Sequence, residues 1–400
     1  MTSARLSFLF SSIGHFYVHM FMAFFAIAVV TMADESLWQM PYEELLRLWT
    51  LGALMLGLGA IPAGRLGDSW SAPAMMAVYF LGLGACSILT GIADGPVFIT
   101  VTLAGLGLFA SIYHPVGIPW MIRGAGSGKV GKTLAVNGIF GSFGTAGAGL
   151  VAGALIDLSG WRATFILPGI VSVLTGMVML WFLMRHRITD TGTAVKKSHN
   201  SSRGELIRVF LLLLISMFIG GVIYHVMQTA LPKLFTEQLS GVLGNGAMGV
   251  GAVFAFVFIL GGIMQIVGGI LADRFPLKLV YVSCWFLQIL VMSGLAASAG
   301  FGIVGFAALA VMVNVAALPA ENMMLAHYTP AKQHGLAFGI KFVLAFVAAP
   351  VSIELVAWVK GTTGGFVWLF AGVAMAAACV FVLLLALPPN RVQSAVIPAE

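Results

Sequence analysis

Long apolar runs dominate this chain, and short polar breaks divide them. Twelve runs are each long enough to cross a bilayer, whose hydrocarbon core takes about 20 apolar residues as a helix. They cover 6–33, 46–66, 72–93, 96–119, 134–157 and 161–184, then 207–233, 245–272, 278–298, 302–325, 335–358 and 364–387. The ten-residue alternation that builds a membrane barrel is absent. The pattern predicts an all-α membrane protein of twelve transmembrane helices in two pseudo-symmetric six-helix bundles. One polar stretch, Arg185 to Glu205, separates the sixth run from the seventh. It reads as a solvated linker whose basic surface suits anionic lipid headgroups. The expected organisation is an N-terminal bundle over 1–184, a linker over 185–206 and a C-terminal bundle over 207–400.

Composition strengthens this picture. Hydrophobic residues make up 60% of the 400 and charged residues 8%, against roughly 25% charged in soluble domains. No soluble core buries that much apolar side chain, so lipid must cover it. The first run exceeds the 7–15-residue core of a cleavable signal and reads as a retained helix. The three cysteines, Cys86, Cys284 and Cys379, lie far apart inside apolar runs. They form neither a disulfide framework nor a metal motif.

The net charge of +6 does not imply nucleic acid, because its distribution follows topology. Twelve spans put both termini on one side. Fifteen of the 20 Lys and Arg fall on that side, and four (Arg47, Arg162, Lys233 and Lys360) fall on the other. Lys341 lies within a span. The positive-inside rule then makes the terminal side cytoplasmic, and the membrane expected is the cell's inner (plasma) membrane.

A short signature occurs twice. Gly64-Arg65-Leu66-Gly67-Asp68 follows the second span, and Gly268-Gly269-Ile270-Leu271-Ala272-Asp273-Arg274 follows the eighth, about 205 residues later. Glycine lets two helices approach closely. An Asp at a helix end can meet the positive N-terminus of a neighbouring helix. Such a contact can form in one conformation and break in another, so Gly64, Asp68, Gly269, Asp273 and Arg274 are candidates for a conformational latch. The alternative is a tight turn with a solvated Asp. Two like halves joined this way fit a transporter that rocks around a central site.

With these residues in view, the chain resembles the major facilitator superfamily over nearly its whole length. The second copy keeps Gly269, Leu271, Asp273, Arg274 and Lys278 of the family's turn, whereas the first keeps Gly64, Leu66 and Asp68 but has Ser69 where Arg is usual. Within the superfamily, Ser12-Ile13-Gly14-His15-Phe16 and Tyr113-His114-Pro115 are similar to the fosmidomycin-resistance group of efflux transporters. The chain departs from that group at His19 and Val116, where carboxylates are common, so the group's coupling scheme does not carry over whole. Gly141, Gly144, Gly147, Gly149 and Gly153 in the fifth span resemble a glycine-rich motif of proton-coupled exporters, although the Pro of that motif is missing and close helix packing is the favoured reading.

Ionisable groups inside a bilayer are costly, about 2.5–3.5 kcal/mol for Lys or Asp at a helix centre, and so mark functional candidates. The resemblance implies that spans 1, 4, 7 and 10 line a central cavity. Span 1 offers His15 and His19, at i and i+4 near mid-membrane. Span 4 offers Tyr113 and His114, nearer the cytoplasm. Span 7 offers Tyr224, His225 and Gln228, with His225 about 7 Å outward of its centre at 1.5 Å per residue. Span 10 offers Asn314 and Glu321, with Asn322 beside the latter, and span 11 offers Lys341, which can pair with Glu321. Glu354 reads as interfacial. Histidine suits a proton site because its unperturbed pKa lies near 6.5. His15 and His19 alone are too few ligands for a metal, so neither a metal nor a cofactor is expected. No phosphate-binding loop or hydrolase motif appears, so the chain is not expected to be an enzyme.

The function expected is alternating-access transport of a small organic molecule, perhaps anionic, by a monomer that exports it in exchange for protons. The alternatives are a proton-coupled importer of an organic acid and, in a different class, a non-transporting membrane sensor or assembly partner.

Overall fold

Lipid offers backbone groups no water, so each apolar run must satisfy its own N–H and C=O groups and becomes a helix. The computed structural model describes residues 2–125, 130–188, 203–244, 246–329 and 334–388. Twelve helices among these are long and apolar enough to span a membrane. They are α1 Ser3–Asp34, α2 Tyr42–Ser69, α3 Ala72–Gly91, α4 Pro96–Gly124, α5 Val130–Ser159, α6 Ala163–Met184, α7 Arg203–Leu243, α8 Ala247–Arg274, α9 Leu277–Ala297, α10 Phe301–His327, α11 His334–Thr363 and α12 Val367–Leu385. The expected twelve-helix class is what is observed. Most of the expected linker lies outside the described residues, as do the backbones of Lys129, Lys196, Lys197, Lys332 and Arg391.

The helix pairings repeat with an offset of six. In the first six helices α1 packs on α5, α2 on α4, and α3 on both α4 and α6. In the second six, α7 packs on α11, α8 on α10, and α9 on both α10 and α12. The two sets meet chiefly along α5 with α8 and α2 with α11, a pair of contacts that the same offset interconverts. The end holding Ser3 and Leu385 is called the terminal end below, and the opposite end the far end. Far-end turns are short, and glycines at positive φ (Gly95, Gly160, Gly244, Gly300 and Gly364) close those after α3, α5, α7, α9 and α11.

Two helices differ from the hydropathy pattern in ways that matter for the site. α7 continues ten residues past the expected end at 233, straight through Pro232. Its extension is polar and held by ion pairs, which hydropathy does not register. His225 lies within two residues of the midpoint of the longer helix, about 3 Å, although the added turns are polar and lie beyond the apolar span. α4 reaches Gly124 rather than 119 and contains a π turn over Tyr113–Gly117. Pro115 in that turn has no N–H to donate, and the wider turn absorbs the missing bond. His114 meets His15, and both lie on the terminal-end side of their helix midpoints.

The glycine-rich stretch of α5 is a packing surface on two sides. A Cβ on Gly144 would sit 2.2 Å from the Phe16 carbonyl of α1, and one on Gly149 would sit 2.3 Å from the Gly251 carbonyl of α8. Backbone-to-backbone approach of this kind is how small residues bind membrane helices together. We therefore expect Gly149→Val to force α5 from α8 at an overpacking cost of about 1–3 kcal/mol. Differential scanning of the purified protein should show a lowered melting midpoint, whereas Leu158→Val, at a side chain 79% exposed, should leave it unchanged.

Candidate functional site

The polar side chains inside the helices gather at three places. The first is among α1, α4 and α5. The His15 ring lies 5.0 Å from His19 and 5.4 Å from His114 between centroids, and His19 lies 5.6 Å from His114. Tyr113 stacks on His15 at 5.0 Å and 22°. Its hydroxyl donates to Asn137 Oδ1 at 3.1 Å and meets Ser11 Oγ at 3.4 Å. His15 Nδ1 lies 2.7 Å from the Asn137 carbonyl. A carbonyl only accepts, so Nδ1 carries the hydrogen. The π turn lets adjacent residues Tyr113 and His114 both reach α1, and His114 also touches Phe346 of α11 at 5.1 Å.

The second place is the centre, between the two sets of helices. A cavity of about 10 Å³ is lined by Met22 and Ala26 of α1, Trp49 of α2, His225 and Gln228 of α7, and Ile353 of α11, among others. That is room for about one water, so larger cargo requires the helices to move. His225 and Gln228 lie one helical turn apart on α7 and face this cavity together. Tyr224 bonds across to Thr145 of α5 at 3.0 Å.

The third place is among α7, α9, α10 and α11. Lys341 Nζ contacts Glu321 Oε1 at 2.6 Å, with both side chains nearly inaccessible, and donates to Asn322 Oδ1 at 2.5 Å. Tyr281 donates to Glu321 Oε2 at 2.8 Å and lies 2.8 Å from Ser216 Oγ. Removing two charges from solvent is expensive, and the extra hydrogen bonds offset that cost. The expected pairing of Glu321 with Lys341 is present. Asn314 instead joins α10 to α7 through the Gly220 carbonyl at 3.2 Å.

The first and third places occupy equivalent positions in the six-helix repeat. Ser11 and Ser216 are 205 residues apart, Tyr79 and Tyr281 are 202 apart, His114 and Glu321 are 207 apart, and Asn137 and Lys341 are 204 apart. One scaffold thus carries imidazoles in one set of helices and a carboxylate–ammonium pair in the other. Asn137, Tyr281 and Ser216 were not singled out from sequence. The 205-residue offset already visible in the glycine–aspartate turns was the signal that could have located Ser216.

The latch residues behave differently. Asp68, Asp273 and Arg274 are exposed, and among the described residues their side chains make no hydrogen bond or ion pair. Gly64 faces Pro115, and Gly269 has open space beside it. The contact between an Asp and a helix N-terminus occurs instead at the far end. Asp157 of α5 accepts from Ala247 N at 2.7 Å and Met248 N at 2.9 Å, capping α8 across the junction. At the same end, Arg47 Nε meets Glu354 Oε2 at 3.1 Å, Thr50 donates to Glu354 Oε1 at 2.7 Å, and Lys233 meets Asp34 at 3.8 Å. Each of these links joins the first six helices to the second six.

Twelve membrane helices in a repeated pairing, with polar groups buried at and beside the junction, define a multi-pass membrane transporter. The family profile matches residues 11–313, and the chain belongs to the Major Facilitator Superfamily. As such it handles small molecules within a membrane and is not an enzyme. It is 33% identical over 133 residues to a probable actinorhodin transporter of Streptomyces coelicolor. That alignment spans 30% of this chain and 22% of the relative's length. The fold is shared with a bacterial homologue of the human lysosomal transporter Spinster, whose crystal structure is inward-facing and unoccupied. The TM-score is 0.68, with 11% identity over 96% of this chain and 95% of that one.

The far-end links are partly exposed, so each contributes little to stability, but together they hold the two sets of helices closed at that end. Combining Glu354→Gln with Asp157→Asn should expose the central cavity to the far face. In a cysteine-free background carrying Gln228→Cys, a membrane-impermeant thiol reagent applied to that face should then label several-fold faster, with little change in melting midpoint.

Proposed function

We propose that this chain is a proton-coupled secondary transporter of a small organic anion, monomeric, in the inner membrane, with its termini cytoplasmic. The observation that carries the proposal is the buried Glu321–Lys341 pair. While Glu321 is ionised, it neutralises Lys341. A proton on Glu321 removes that neutralisation and leaves Lys341 free to attract an anionic cargo. Tyr281 and Asn322 are positioned to hold the two groups through the exchange. α8 packs on the other side of α10, and among the described residues it supplies no ion pair to Glu321.

In this scheme proton and anion bind together, which favours cotransport of an organic acid down the proton gradient. One proton moving with one monoanion carries no net charge, so the pH difference rather than the membrane potential drives this step. Export by proton exchange is the second reading. It is supported by the likeness of Ser12–Phe16 and Tyr113–Pro115 to the fosmidomycin-resistance group and by the relative described as a probable actinorhodin transporter. Exchange requires cargo and proton to compete rather than bind together.

Reconstitution into liposomes tests this. With organic anions as cargo, imposed acidity on the cargo side should stimulate wild-type flux, and anion and proton should move in the same direction. Glu321→Gln, a permanent mimic of the protonated carboxyl, should retain anion binding but lose at least ten-fold of the pH stimulation. Lys341→Met should lose anion binding. Movement of proton and cargo in opposite directions would favour export, and flux in Glu321→Gln that keeps its full pH response would remove this pair from coupling.

A further inference from the structure

We propose that His15, His19 and His114 form a three-imidazole site for a divalent transition-metal ion, with a fourth position left for an anion. This goes beyond the Glu321–Lys341 reading and does not rest on it. From sequence only two of these ligands share a helix face, and no metal was expected on that ground. The π turn of α4 supplies the third. One ligand nitrogen from each of the three rings lies within 4.8 Å of the others. An ion with Zn–N bonds of 2.0–2.1 Å holds tetrahedral ligands about 3.4 Å apart. Closing the difference of about 1.4 Å takes only small side-chain rotations.

The surroundings are those a metal-binding imidazole needs. Ligating histidines almost always donate their second ring N–H to a carbonyl or carboxylate, which fixes the tautomer. His15 does so from Nδ1 to Asn137 O at 2.7 Å, leaving the Nε2 lone pair available. Tyr113 stacks on that ring and is itself tied to Asn137 through Oδ1. His19 Nδ1 is buried without a hydrogen-bond partner, a cost that ligation removes. Gly141 keeps space at the reacting atom, since a Cβ there would sit 2.7 Å from His15 Nε2.

The donor set also defines the ion. Three neutral imidazoles suit zinc, cobalt, nickel or copper. They do not suit calcium or magnesium, which require oxygen ligands. No carboxylate belongs to the cluster among the described residues. A double positive charge in this low-dielectric setting therefore requires an anion in the fourth position.

The test uses untagged, detergent-purified full-length protein with Zn²⁺ and Co²⁺. Equilibrium dialysis should give one ion per chain, and bound Co²⁺ should show the intense visible absorption of four-coordinate cobalt. Azide should shift that spectrum by entering the fourth position. His19→Ala and His114→Ala should each weaken binding at least ten-fold. Gly141→Ala keeps all three rings but crowds His15 Nε2, and it should do the same. His225→Gln and Glu321→Gln should retain full affinity. If an alanine variant fails to fold, protection of the wild-type imidazoles by Zn²⁺ against diethyl pyrocarbonate reads the same ligands. The site is overturned if folded wild-type protein binds no stoichiometric Co²⁺, if binding survives loss of His19 or His114, or if Ca²⁺ binds equally well. An azide-insensitive spectrum would overturn the anion position alone. Proton coupling through Glu321 would persist in chelator-treated protein whatever the outcome for metal.

Discussion

A lipid interior supplies no water, so a polar group placed there must find its partner within the protein. That constraint organises this molecule. It turns every long apolar run into a helix, and it drives the few polar side chains of those helices toward one another and away from the acyl chains. His15, Tyr113 and Asn137 satisfy one another across three helices. Glu321, Lys341, Tyr281 and Asn322 do so across another three. Neither group could be stable on an isolated helix.

The repeat gives the two groups equivalent locations and different chemistry. Serine on the first helix of each six, tyrosine on the third and a polar residue on the fifth recur at nearly constant spacing. What differs is the fourth helix, where one set presents His114 and the other Glu321. A symmetric frame thus carries asymmetric polar content. The carboxylate–ammonium pair lies in α10 and α11 and the imidazole cluster in α1 and α4, with no residue in common.

The junction between the two sets combines dense packing with weak polar closure. α5 and α8 touch backbone to backbone at Gly149 and Gly251, and α2 faces α11 on the opposite side. At the far end the closure depends on Arg47, Glu354, Asp34, Lys233 and the cap that Asp157 places on α8. Exposed ion pairs form and break at little cost, whereas interlocked glycines resist separation. The junction thus pairs close glycine contacts along its length with polar links at one end.

Hydropathy alone determined the number and kind of helices, because a bilayer imposes one length and one backbone solution on any apolar run. It also displayed the duplicated glycine–aspartate turn and named Glu321 and Lys341 as groups needing a partner. Burial cost identifies such residues one at a time, without neighbours. Tertiary structure decided which of them meet. It brought His114 beside His15 and His19 through a π turn that spacing does not announce, carried α7 past its apolar span to Leu243, and left the aspartates of the turns exposed while Asp157 capped a helix elsewhere. Those outcomes depend on helix rotation and depth, which are set by packing between segments far apart in the chain and leave no trace in local composition.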